Sequence, residues 1–567
     1  MRRLALVASL AATVWSAEGS VVVDLGGSQA LRPEPQLFQP AEPSLHQTTV
    51  LLRKALGAGE TTIVLDLTTG FSASSSAAEE LAAVVRQART DGNLAGKKLI
   101  ALVDAVDDPA LIIAATCDEV VMADAGLLMI DGLGLESYYL ADAMAKIGLR
   151  FRAVASGDHK TAHEPFTRNA PSPTGLRELQ DLAQDLDRAV LALSERPGLD
   201  AAAITAARAR SPQTPTIAKE TGLVASVAEA GGWYAKLPTP VRHAGQEDHK
   251  HADLSGMAGM MQVWQQLLKG EEGPRHPKAV AVVELEGEIV DDGESAPGRT
   301  IAGSDTAELM DDLADDERVK AVVLRINSPG GSAVASDRVY HAVRRLAGHK
   351  PVVALFDQYA ASGGYYIGCA ADEIQVHRTT ITGSIGVFAL VPDASGTLDL
   401  LGIHRVGITT GPRADLFSAT APFTPDRENA LRQVIADVDQ RFQGLVAERR
   451  KIDPAKMPGL AGGRVYTGEQ AIANGLADGL GTLATAVAAA RKRAGIDEKL
   501  PLERYPRSKG FLQRLGMSGG VHSQALASVG GDLLPPELRA QLAILPRLAL
   551  AGRPVVMTRA ALPLTVR

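Results

Sequence analysis

The hydrophobic pattern along the chain of 567 residues alternates between two kinds of segment. Short apolar runs such as Ile63-Val64-Leu65, Leu99-Ile100-Ala101-Leu102-Val103, Val322-Val323-Leu324 and Val352-Val353-Ala354-Leu355-Phe356 are too brief for helices and rich in β-branched residues. Strands buried on both faces read this way. Between them lie longer stretches of helical character, among them Ala77 to Arg89 and Ser336 to Leu346. Strands alternating with helices predict βαβ units and mostly parallel sheets. A chain of this length exceeds what one hydrophobic core supports, so two or more α/β domains are expected.

The pattern is also written twice. Lys97-Lys98-Leu99-Ile100-Ala101-Leu102-Val103-Asp104 leads through Ala114-Ala115-Thr116-Cys117 to Asp118-Glu119-Val120, and Lys350-Pro351-Val352-Val353-Ala354-Leu355-Phe356-Asp357 leads through Gly368-Cys369-Ala370-Ala371 to Asp372-Glu373-Ile374. The offset, 372 minus 118 or 254, persists where Ile147-Gly148-Leu149 matches Leu401-Gly402-Ile403 and Gly157 matches Gly411. Upstream, Ile63 to Leu67 matches Val322 to Ile326 at 322 minus 63, or 259. Two tandem domains are therefore expected, at 45–238 and 278–495. The 239–277 segment between them is polar at first and helical around Met257 to Lys269. Its His243, His249 and His251 fit no common metal-ligand spacing, so it reads as a solvated linker. The tail, 496–567, is interrupted by Pro506, Pro535, Pro536, Pro546, Pro554 and Pro563. After Glu537 it carries five arginines and no acidic residue, a composition suited to anionic lipid, a neighbouring subunit or the surface of its own domain.

At the N-terminus, Met1-Arg2-Arg3 precedes an uncharged run from Leu4 to Ala17, shorter than the ~20 residues that span a bilayer. The reading is an export signal or short anchor over 1–19, with a buried first helix as the alternative. The formal charge of −8 gives no reason to expect nucleic acid as a partner. Only Cys117 and Cys369 are present, both in apolar, alanine-rich surroundings, so the fold does not depend on disulfides and buried free thiols are expected.

The chemistry-bearing residues cluster in the second copy. Asn327-Ser328-Pro329-Gly330-Gly331-Ser332 follows one strand, and Tyr359-Ala360-Ala361-Ser362-Gly363-Gly364-Tyr365 follows the next and opens a helix. Adjacent glycines permit a tight corner with exposed N–H groups, as oxyanion binding requires. A serine at such a junction suits a nucleophile, with Gly331 and Gly363 as the donors. Thr382-Gly383-Ser384-Ile385-Gly386 adds a third motif close by.

These three runs resemble the signal peptide peptidase A (protease IV) family in its long, tandem-repeat form, over roughly residues 45 to 510. The family's other hallmark is a lysine in the first half, within a Tyr-Lys-Ser-Ala-X-Glu-Pro-Phe run. Here His159-Lys160-Thr161-Ala162-His163-Glu164-Pro165-Phe166 stands at that place, with His159 and Thr161 departing from the pattern. The resemblance implies two tandem ClpP/crotonase-like α/β domains and a serine–lysine dyad of Ser362 and Lys160, with Ser384 orienting the amine. It implies no metal or organic cofactor. It further implies hydrophobic peptide substrates, including spent signal peptides, in a membrane-associated homo-tetramer of the cell envelope. The repeat is consistent with one shared site, since Ser362 falls on Asp108 and Lys160 on Ala414 at the 254 offset.

A lysine base must be neutral, which requires its amine to fall from ~10.4 to about 7, and burial can do this. The apolar run Leu149 to Ala155 before it suits such a pocket, whereas Glu164 would oppose the shift if it faced the amine. A histidine base drawn from His341, His377 or His404 is the rival within the same reaction. An inactive peptide-binding scaffold and an acyl-CoA enzyme of the crotonase type are the rivals outside it.

Overall fold

A computed structural model describes residues 19–31, 43–68, 70–229, 232–245, 276–291, 299–506 and 556–559. All but the last residue of the export signal or short anchor expected at 1–19, most of the 239–277 segment with its expected helix, and most of the tail beyond 506 lie outside the described residues. Two compact units emerge: Met1–Asp131 with Leu193–Lys250, and Gly132–Ala192 with His251–Arg567.

The first unit is built on a six-stranded sheet in the order Ser226–Ala228, Glu119–Leu128, Lys98–Val106, Thr62–Asp66, Ser20–Asp24, Val241–His243. Every neighbouring pair is parallel. Its central strands are buried runs of Val, Ile and Leu, because helices such as Ser75–Thr90 cover the sheet.

In the second unit the main sheet runs Val465–Thr467, Ile381–Gly383, Val352–Ala361, Val319–Ser328, Ala279–Glu286, Leu502–Tyr505, with Glu373–Val376 also paired to Val352–Ala361. All these pairs are parallel except Ile381–Gly383 with Val465–Thr467. The expectation of mostly parallel α/β modules therefore holds in both units. A second sheet runs Thr300–Ala302, Glu288–Val290, Gly330–Ser332, Val556–Arg559, Phe388–Asp393, Arg150–Ala155. The strand from the distal tail thus lies between the Gly330–Ser332 corner and Phe388–Asp393, antiparallel to both.

Two long helices hold the second unit together. Ala333–His349 is capped by Ser332, whose hydroxyl accepts from the Ala335 N–H. Pro425–Arg450 starts with Thr424 as cap and Pro425 in its first turn, places Asp426 and Glu428 at its N-terminus and Arg449 and Arg450 at its end, and so matches its dipole. Leu431 and Ile435 on this helix pack against Val154, Val387 and Ala389, and Phe442 stacks 4.5 Å from Tyr366.

The compact units do not follow the repeat. Gly132–Ala192 belongs to the first copy in sequence but groups with the second, because its strand Arg150–Ala155 pairs residue for residue with Phe388–Asp393. Both cysteines are buried free thiols, and burial pushes each up to about 12.

Candidate active site

Ser362 stands where the Val352–Ala361 strand turns into the Gly363–Gly368 helix. The turn is too sharp for ordinary backbone: Ser362 adopts φ 55°, ψ −113°, a region that L-residues avoid. Three non-glycine residues among those described have positive φ, and two of them are Ser362 and Ser384. The strain is held by neighbours. The Ser362 N–H donates to Gly383 O at 2.8 Å, and Gly364 presses so closely on Ser328 that a Cβ there would lie 2.7 Å from the Ser328 carbonyl oxygen. That second contact fixes the serine turn against the corner leading to Gly331. Gly331 itself admits no side chain, since its Cβ would sit 1.9 Å from Ile289 O.

Lys160 follows the Arg150–Ala155 strand and the turn at Gly157, whose carbonyl accepts the Lys160 N–H at 3.1 Å. Its Nζ lies 2.7 Å from Ser362 Oγ, 2.9 Å from Ser384 Oγ and 2.8 Å from Ser384 O. Lys160, Ser362 and Ser384 are all buried. Burial pushes the amine down from 10.5 to about 7, against the opposing pull of the Asp439 carboxylate. In its neutral form the amine has one lone pair and two N–H bonds. The three contacts match the three N–H bonds of an ammonium, and in the neutral form the lone pair can instead accept the serine O–H with both N–H groups turned to Ser384.

Several residues at this site carried no motif in the sequence. The loop Gly462-Gly463-Arg464 clips the lysine turn to the Ser384 turn. His159 N–H donates to Gly462 O at 3.2 Å, Gly463 N–H to Ile385 O at 2.8 Å, and Ser384 N–H to Arg464 O at 2.6 Å. Gly463 has φ +97°, and a Cβ on it would lie 2.4 Å from the Lys160 nitrogen. Adjacent glycines before the Val465–Thr467 strand were the available signal. Asp439, on the Pro425–Arg450 helix, is the carboxylate that the amine feels. Burial raises its own pKa, and Gln443 Nε2 donates to it at 2.6 Å. Glu164, the acid that the sequence made suspect, accepts instead from the Ser172 N–H at 2.9 Å.

His159 does not face the amine. Its Nδ1 lies 2.5 Å from Glu178 Oε1. Burial pushes the Glu178 carboxyl up to about 7 and the imidazole down, so both groups are driven toward neutral forms. An ion pair would move both the other way. At the first-copy position that matches Ser362, Asp108 is tied up in an ion pair with Arg208. A cavity of about 830 Å³ opens beside Ser156, Ile435, Asp439 and Met457, behind the lysine strand, and neither Lys160 nor Ser362 lines it.

Among known families, the model for "Peptidase family S49" matches residues 92–236 and 344–497. Protease 4 of Haemophilus influenzae is 31% identical over 409 residues, covering 69% of this chain and 64% of that protein, so the match spans a little under two thirds of its length. Protease 4 of Salmonella typhi is 29% identical over 518 residues, covering 85% of this chain and 79% of that protein. A putative signal peptide peptidase SppA of Enterococcus faecium is 30% identical over 244 residues, 42% of this chain and 71% of that protein. Among solved structures, ClpP1 from Listeria monocytogenes aligns over 35% of this chain and 91% of its own, at 15% identity and a TM-score of 0.24.

Proposed function

Because the chain belongs to peptidase family S49, we propose that it is a serine endopeptidase built on a dyad, with Ser362 as nucleophile and Lys160 as general base. One observation carries the reading: a buried amine, pushed down to about 7, lies 2.7 Å from a serine hydroxyl held on strained backbone. In the first step neutral Nζ takes the Oγ proton while Oγ bonds to the scissile carbonyl carbon. The carbonyl oxygen becomes an oxyanion, for which Gly331 and Gly363 N–H groups are the proposed donors. Collapse breaks the C–N bond, and the Lys160 ammonium returns its proton to the leaving amine. The amine, neutral again, accepts a proton from the water that attacks the acyl ester, and the second collapse restores the serine. Ser384 is a positioning residue that keeps the lone pair aimed at Oγ.

The substrates we propose are hydrophobic peptides, including cleaved signal peptides, in keeping with the name of the Enterococcus relative. An extended peptide is favoured by the way Val556–Arg559 lies antiparallel on Gly330–Ser332 and on Phe388–Ala389, since both edges accept added backbone beside the serine. We place the protein in the cell envelope, exported through its N-terminal segment and working at the membrane surface as a homo-tetramer. Among the described residues no helix is long and apolar enough to cross a membrane.

The test is turnover of an internally quenched apolar peptide by the full chain, with a fluorophosphonate probe mapped by mass spectrometry. Cleavage with the label on Ser362 is expected. Folded protein that neither cuts nor takes the label would make it a binding scaffold, and turnover of an acyl-CoA in place of the peptide would make it a crotonase-type enzyme.

A further inference from the structure

The cavity behind the lysine strand takes no part in the chemistry proposed above, yet its walls are sorted by polarity. Its volume of about 830 Å³ falls within the roughly 300–1,000 Å³ of small-molecule sites, and all its lining residues belong to the second compact unit. One wall is a face of the Pro425–Arg450 helix, where Ile435, Asp439, Gln443 and Ala447 recur every four residues. The helix ends at Lys451 in the left-handed region, φ 54°, and the Ile452 N–H donates to Ala447 O at 2.9 Å. That turn leads to Met457, which faces the cavity together with Val154 from the Arg150–Ala155 strand. Val154, Ile435 and Met457 are each 2% exposed, whereas Arg432, Glu448 and Lys451 stand in solvent at the rim.

Within this apolar base lies a carboxylate, Asp439, at 8% exposure. Gln443 Nε2 donates to its Oδ2 at 2.6 Å and the Ser156 hydroxyl also steadies it, but Oδ1 has no hydrogen-bond partner among the described residues. A buried carboxylate oxygen without a donor is costly, and a cationic N–H brought by a ligand relieves that cost. The neighbouring cations are engaged elsewhere: Arg432 Nε donates to Glu428 Oε1 at 3.1 Å, and the Lys160 amine is held by Ser362 and Ser384. The carboxylate disfavours an anion. Among the described residues no group of three His, Cys, Asp or Glu is placed to hold a metal ion, and the apolar walls call for hydrocarbon beside the charge.

We propose that this cavity binds a small organic monocation, an alkylammonium or alkylguanidinium, with its charged head on Asp439 Oδ1 and its hydrocarbon along Val154, Ile435 and Met457. Such a ligand reports to the dyad through the same carboxylate. Asp439 pulls the Lys160 amine up against burial, so a cation paired with Asp439 cancels that pull and the amine gives up its proton at lower pH. Lys160 is the charged group that acts on Asp439 from the facing turn, while Arg432, Glu448 and Lys451 remain at the solvated rim. Binding itself does not depend on the peptidase reading; the effect on the working pH rests on it.

Titration calorimetry of the full chain with n-pentylammonium chloride tests the site, with n-pentanol as the uncharged match and sodium chloride as the salt control. Saturable binding of the ammonium is expected, roughly tenfold weaker or lost for n-pentanol and in Asp439→Asn. Ala436→Trp, at an exposed position of the cavity wall, is expected to block binding while leaving the pH midpoint of activity without the cation unchanged. In the same samples, the pH midpoint of fluorophosphonate labelling at Ser362 should move down by several tenths of a unit under saturating n-pentylammonium, and should not move in either variant. The site is overturned if the unmodified chain shows no saturable binding, if n-pentanol binds as well, or if Asp439→Asn and Ala436→Trp both bind as the unmodified chain does. Binding that leaves the midpoint in place overturns the coupling. Charge-selective binding by a chain whose Ser362 takes no label leaves the cavity site standing and removes the peptidase.

Discussion

Replacing Lys160 by Met tests the state of the amine without relying on turnover. The folded protein holds this group at about 7, whereas an unfolded lysine sits at 10.5. The difference is 10.5 minus 7, or 3.5 units. At about 1.4 kcal/mol per unit, burying the amine costs the fold on the order of 5 kcal/mol at neutral pH. The sign follows from proton counting. Between pH 7 and 10.5 the unfolded chain holds one proton that the folded chain lacks, so the stability of the wild type rises with pH by up to about 1.4 kcal/mol per unit. Below pH 7 both states hold the proton and the cost is constant. Methionine fills a similar volume and does not titrate, although it leaves the Ser384 carbonyl without the amine, a penalty of about 1–3 kcal/mol that does not change with pH. Urea unfolding of both proteins from pH 6 to 10 is the assay. The wild-type minus Lys160→Met difference should be flat below pH 7 and climb above it, while other groups cancel. A difference that stays flat across the whole range would refute the reasoning, because the amine would then titrate alike in both states.

Other outcomes follow from the same geometry. Ser362→Ala and Lys160→Ala should each reduce peptide cleavage to background, with the double variant no worse than either, as steady-state kinetics on one peptide would register. Ser384→Ala should lower kcat by roughly 10- to 100-fold with KM little changed, because the amine loses its aim and not its substrate. Gly463→Ala, whose Cβ would meet the Lys160 backbone, should lower kcat and move the pH midpoint of activity, and a far-ultraviolet spectrum like that of the wild type would separate this from unfolding. Asp439→Asn should shift that midpoint downward, since the carboxylate pulls the amine up.

Much of the architecture was legible because it is local. The runs at Ile63, Leu99, Val322 and Val352 are strand-like in composition and length, and they form central strands of parallel sheets. The glycine corners were readable for the same reason: Gly331 has no room for a Cβ, and Ser362 sits on a turn announced by Gly363 and Gly364. What remained hidden is long-range. Nothing in Arg150 to Ala155 says that this strand will pair with Phe388–Asp393 and carry Lys160 into the second unit. Asp439 looks like any polar residue in a helix of 26 residues, and only packing turns it toward the lysine strand. Glu164 was suspected because it is four positions from Lys160, yet its carboxylate is taken by the Ser172 N–H. The condition set for Glu164, that it face the amine, is not met, and the acid that pulls on the amine comes from 279 positions away, 439 minus 160.

The most direct measurement is the rate at which a fluorophosphonate modifies Ser362, followed against pH in the wild type and in Lys160→Ala. An amine held at about 7 and hydrogen-bonded to Oγ should give a rate that rises to a plateau with a midpoint near 7. In the variant the rate should fall by at least 100-fold and lose that midpoint. Equal rates in the two proteins, or a wild-type midpoint near the ordinary lysine value, would contradict the dyad.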